Sequence, residues 1–141
     1  MRVVMTEKAD GLTVEKQIVY QAAAGEGLFK VEVLAVLCGK DLSLTISGGE
    51  KHHIGAVALA VPRPSLSDPQ KISSSASVLT VVSHKEDELA RQVALMLAAS
   101  LNCTVTAAVG IHIDNAAEKD IGVLSANCFA ALKEITAKLQ S

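Results

Sequence analysis

Gly48-Gly49-Glu50-Lys51-His52-His53-Ile54-Gly55-Ala56-Val57-Ala58-Leu59-Ala60 places two glycines, a histidine pair and a third glycine directly ahead of an apolar strand. The glycine pair can take the positive φ of a tight hairpin turn, and Gly55 leaves room for a ligand or another backbone to approach the strand closely. A strand that only fills a core has little need of such an entrance, so the stretch reads as one wall of a binding site. On this reading Gly48 to Lys51 reverses the chain, and His53 to Val61 runs back beside the strand before it.

Working upstream, Asp41 to Ser47 alternates Leu42, Leu44 and Ile46 against Ser43, Thr45 and Ser47, which buries one face of a strand and leaves the other polar. Cys38-Gly39-Lys40-Asp41 makes a hairpin turn back to a β-branched run from Leu28 to Leu37. Three strands joined by short turns predict an antiparallel meander. Ala22 to Gly27 reads as a further turn, with an imperfectly alternating strand from Leu12 to Tyr20 before it and a loose end or short edge strand over residues 1–10.

Downstream, Pro62-Arg63-Pro64-Ser65-Leu66-Ser67-Asp68-Pro69 reads as a surface loop, because proline donates no ladder hydrogen bond. A serine-rich approach leads to a short strand at Val78 to Val82. Ser83-His84-Lys85-Glu86 then has the spacing of a capping box, followed by Leu89, Val93, Met96, Leu97 and Leu101 on one helical face. Val105, Ala107, Val109, Ile111 and Ile113 alternate strictly, with Gly110 and His112 on the other face. Asp114 and Asn115, with Glu118, cap a second helix whose buried stripe is Ile121, Leu124, Cys128, Leu132, Ile135 and Leu139. The order predicts one α+β domain over 1–141: a largely antiparallel sheet of about five to six strands with two helices. Two helices cover one face of such a sheet, so its other face or an edge invites a second copy.

Composition narrows the function. The 141 residues carry a net charge of −2, with no block of either sign, so there is no electrostatic footprint for a phosphate backbone. Tyr20, Phe29 and Phe129 are the only aromatic side chains, too few for the stacking platforms of single-stranded nucleic-acid binding. Cys38, Cys103 and Cys128 lie apart in apolar segments with no CxxC pair, which disfavours a zinc cage. With no apolar signal core and no long apolar run, the default compartment is a reducing cytoplasm.

Several residues could carry chemistry. The histidines fall where sheet meets turn, and His112 with Asp114 and a second histidine would make a metal-ligating set, yet no ligand spacing supports a metal. Ser83-His84 lacks a nucleophile elbow, which leaves no catalytic assignment. Helix starts after strands favour an anion, and Lys85 adds a cation there, though an ordinary capped helix has the same residues.

Taken together, Gly48-Gly49, His53-Ile54-Gly55-Ala56-Val57, Ser83-His84-Lys85-Glu86-Asp87-Glu88-Leu89-Ala90-Arg91 and Gly110-Ile111-His112-Ile113-Asp114-Asn115 resemble the small prenylated-flavin chaperones of the LpdD-like family. The resemblance spans Gly39 to Ala137. Those proteins accompany UbiD-type decarboxylases such as gallate decarboxylase. The resemblance implies a fold similar to proteasome assembly chaperones, a homodimer, and a non-catalytic role. That role is to hold reduced prenylated FMN between a flavin prenyltransferase and a UbiD-type (hydroxy)arylic acid decarboxylase. The cofactor-binding residues it implies are Gly49, His53, Ile54 and Gly55, then Ser83, His84 and Lys85, then His112, Asp114 and Asn115. An isoalloxazine ring would lie across a glycine-bearing strand at Gly55 or Gly110, with aliphatic packing in place of aromatic stacking. The alternatives are a structural subunit of a decarboxylase complex that binds no flavin and a small metal-dependent enzyme.

Overall fold

A computed structural model describes residues 17–81 and 86–141, with the backbone course of 3–5, 8–9 and 12–13. Nine strands and two helices are described: β1 (Val3–Met5), β2 (Lys8–Ala9), β3 (Leu12–Thr13), β4 (Gln17–Ala24), β5 (Val31–Cys38), β6 (Asp41–Gly49), β7 (Ala56–Pro64), β8 (Ile72–Thr80), α1 (Asp87–Leu101), β9 (Val105–His112) and α2 (Glu118–Gln140). The main sheet has the order β1-β4-β5-β6-β9-β7-β8, and β2 pairs with β3 apart from it. The class is the expected α+β. The short β1, paired with β4 from Val3↔Val19 to Met5↔Gln17, brings the main sheet to seven strands.

The meander is the main correction. β5 and β6 form the expected hairpin around Gly39 and Lys40, but β7 does not lie beside β6. β9 is inserted between them, parallel to β6 from Leu42↔Val105 to Gly49↔His112 and antiparallel to β7 from Ala56↔Val109 to Ala60↔Val105. The order follows from burial. β9 carries Val105, Ala107 and Val109, each 0% exposed, and a strand that apolar belongs at the sheet centre. Local turn signals do not encode an insertion made sixty residues later.

Other boundaries move for identifiable reasons. Gly48 and Gly49 end β6 instead of making a hairpin, and β7 starts at Ala56. β4 runs through Ala24, because Ala22, Ala23 and Ala24 keep pairing with β5, and the turn falls at Gly25 ahead of a 3-10 turn at Gly27–Phe29. Pro62 and Pro64 lie within β7, paired with Ser74 and Ile72. They are tolerated because pairing to β9 stops at Ala60, which leaves this part of β7 at an edge.

One core forms between the sheet and the helices. Val31, Val33, Leu44, Ile46, Ala58 and Ala107 face it from the strands. Ala90, Val93, Ala94, Leu97 and Ala98 supply the α1 stripe, and Leu124, Cys128, Ala131, Leu132 and Ile135 that of α2. Small residues let α1 sit close to β7, β8 and β9. Met96 and Ile121, both expected inside, are 41% and 56% exposed. The second helix is capped two residues later than Asn115, the expected cap: the Ala117 amide donates to Asp120 Oδ2 at 2.9 Å, while Asn115 sits at φ 55 in the approach. The proposed Ser83 cap lies outside the described residues. Among the described residues the opposite face of the sheet carries no helix, and Leu34, Leu59, Val61 and Leu79 are exposed there.

Candidate functional site

The chain between β6 and β7 has to pass over the end of β9, and residues 50–55 form the strap that does so. The Glu50 amide donates to the His112 carbonyl at 2.7 Å, and the Gly55 amide to that of Val109 at 2.9 Å, which ties the strap down at both ends. Three glycines make the crossing sterically feasible. A Cβ on Gly110 would overlap the His53 carbonyl, one on Gly49 the His112 carbonyl, and one on Gly55 the Glu86 carboxylate. Gly49 also sits at φ 78, a region that side chains rarely adopt.

The two glycine-histidine segments therefore do meet, with one laid directly on the other. The space left by Gly110 is filled by the strap and that at Gly55 by Glu86, so neither holds open a surface for a flat ring. This corrects the expectation for Gly55 and Gly110.

The strap brings two histidine–carboxylate pairs to the end of the sheet. His53 Nε2–H donates to Glu86 Oε1 at 2.8 Å, and His53 Nδ1 lies 3.2 Å from the Lys51 carbonyl. His112 Nε2–H donates to Asp114 Oδ1 at 2.7 Å. The rings meet edge to face, with centroids 6.1 Å apart and planes at 85°. The first pair is largely enclosed, with side chains 21% and 11% exposed, and the second is open to solvent. The bond from His112, and then its charge, hold the Asp114 carboxyl below its ordinary value, with smaller contributions from a Glu50 hydrogen bond and the Lys51 charge.

Beside these pairs, between the N-terminal turns of α1 and α2 and the end of β9, is a cavity of about 490 Å³. Leu89, Ile111, Ile113, Ile121 and Leu124 make its apolar wall, and His112, Gln92, Ser125, Glu86 and Glu88 its polar one. The volume is in the range of small-molecule and cofactor sites. The lining has donors and acceptors for a heterocycle edge and, among the described residues, no phenylalanine, tyrosine or tryptophan and no lysine or arginine. A ring system with polar edges and hydrocarbon substituents suits this lining. Among the described residues no cluster of three metal-ligating side chains occurs.

Residues 25–140 match the prenylated flavin chaperone LpdD-like domain. The chain belongs to this family. The match takes in both helices, the strap and every residue lining the cavity. The search of curated proteins found no match. Among solved structures, a chain of a chaperone complex for yeast 20S proteasome assembly is similar at 18% identity, covering 86% of this chain and 95% of that one, with a TM-score of 0.48.

Of the site residues expected from the sequence of this LpdD-like protein, Gly49, His53, Gly55, His112 and Asp114 come together. Gly49 and Gly55 act as clearance for the strap, and of these five only His112 lines the cavity. Ile54 is 59% exposed, and Asn115 is exposed in the turn before α2. Ser83, His84 and Lys85 lie outside the described residues. Glu86 was legible only as half of a capping box, yet it both lines the cavity and receives His53. Gln92 and Ser125 carried no signal, since a polar residue on an amphipathic helix ordinarily faces solvent.

Proposed function

We propose that this protein is a non-catalytic carrier that binds reduced prenylated FMN and hands it to a UbiD-type (hydroxy)arylic acid decarboxylase. The observation that carries the reading is the coincidence of the prenylated-flavin-chaperone match with the cavity, whose lining falls wholly inside the matched span. The flavin supplies its chemistry in the decarboxylase, and the carrier's residues bind and release it. Gln92 and Ser125 offer an amide and a hydroxyl to the edge of the ring system, and His112 sits at the mouth. Lys51 is exposed and its charge reaches Asp114, so the phosphate would lie toward it, facing solvent outside the acidic wall. Without an aromatic surface to stack on, the ring is held by aliphatic packing alone, which favours handing the cofactor on over keeping it.

The same reading has the chain act as a cytoplasmic homodimer, with the helix-free sheet face and its exposed Leu34, Leu59, Val61 and Leu79 covered by a second copy. Light scattering would then give twice the 14.7 kDa of one chain. It also places a flavin prenyltransferase upstream as the source of the cofactor.

Anaerobic gel filtration with reduced prenylated FMN tests the proposal. Flavin should co-elute with micromolar protein, and adding the loaded protein to decarboxylase apoenzyme should activate it. Flavin that elutes wholly in the small-molecule volume would rule the carrier role out. Decarboxylase co-purification undisturbed by His112→Ala, with no flavin retained, would point to a structural subunit instead.

A further inference from the structure

We infer that the aliphatic wall of this cavity, with Ile121 at its rim and Leu124 at its floor, selects prenylated FMN over unmodified FMN. The inference rests on the cofactor reading above. Prenylation adds a saturated, methyl-bearing ring to a flat heteroaromatic system, and the two parts of such a ligand call for different neighbours. A flat ring system gains most from a large aromatic face, and among the described residues no phenylalanine, tyrosine or tryptophan lines the cavity. A saturated ring gains from close, non-directional packing against branched aliphatic carbon, which Leu89, Ile113, Ile121 and Leu124 offer from three elements.

The two α2 residues differ in what else they do. Leu124 is 6% exposed and belongs to the core, so it is a fixed floor. Ile121, three residues earlier on the same helix face, is 56% exposed, and its position on the cavity rim is the role its side chain has available. A large aliphatic side chain there is where a hydrocarbon ring would complete the packing. A hydrophobic pocket discriminates through added carbon by roughly tenfold or more.

Because Ile121 is largely exposed, its replacement leaves the fold intact, and an unchanged melting temperature checks this. Anaerobic titrations with reduced prenylated FMN and with reduced FMN should show the wild-type chain preferring the prenylated form by about tenfold. Ile121→Ser should weaken prenylated FMN several-fold while changing FMN less than about twofold, and Ile121→Leu should keep the preference. Equal wild-type affinity for the two flavins would overturn the inference while leaving the carrier role standing. So would an equal loss for both in Ile121→Ser, or no change for either. A wild-type chain that retains neither flavin removes the cofactor reading, and this inference with it.

Discussion

His53 Nε2 lies 2.8 Å from Glu86 Oε1, a hydrogen bond across 33 residues of sequence that joins the strap over β9 to the first turn of α1. Both side chains are largely buried, so the pair is screened little by salt and its loss would expose an enclosed carboxylate. It couples the strap to Glu86, which lines the cavity on the side of α1.

That bond should be measurable as a coupling. His53→Ala and Glu86→Ala, made singly and together, are expected to give a double-mutant coupling of about 1–2 kcal/mol in urea unfolding. Additive single losses would mean that the strap is held by its backbone bonds alone.

Gly110 should not tolerate a side chain. Gly110→Ala drives a methyl group into the His53 carbonyl, which belongs to backbone that the Glu50 and Gly55 amides have already fixed. The expected cost is about 2–3 kcal/mol, read from denaturant unfolding. Gly122 provides the control: it lies within α2 with open space around it, so Gly122→Ala should stabilise by about 0.5–1 kcal/mol. Similar effects at the two sites would contradict the strap geometry.

Asp114 sets a pH dependence. Its folded-state value is depressed, chiefly by His112, so the associated stability is present above the ordinary carboxylate value of 3.8 and is lost as pH falls through the lower folded value. Carboxyl NMR should give a midpoint below 3.8 in the wild type, moving back toward it in His112→Asn. The carboxylate is fully exposed, so the effect on stability will be small; a midpoint unmoved by the substitution would disprove the assignment to His112.

The three cysteines should separate by accessibility. Burial pushes the Cys128 thiol up to about 12, and burial followed by the Asp41 charge raises Cys103. Only Cys38 is exposed. A thiol reagent at pH 8 should label one cysteine quickly in the folded chain and all three after denaturation. Rapid labelling of Cys128 would mean that the α2 stripe opens readily.

The alternating pattern of Leu42, Leu44 and Ile46, the strict alternation from Val105 to Ile113 and the helical stripes through Val93, Leu97, Leu124 and Leu132 were enough to establish the elements and the α+β class. Each is a local periodicity, set by which side chains one strand or helix must bury. The family resemblance was legible too, because its residues lie in short contiguous segments. The position of β9 between β6 and β7 was not, since it depends on which strand is apolar enough for the sheet centre once α1 has returned the chain. The glycines of the strap announced a close approach, but only the tertiary structure decided what approaches: His53 at Gly110 and Glu86 at Gly55. Glu86, Gln92 and Ser125 look like ordinary helix surface in sequence, and Ile121 like part of a buried stripe. They form a site because two helix starts and one strand end converge, and no local pattern encodes that distance.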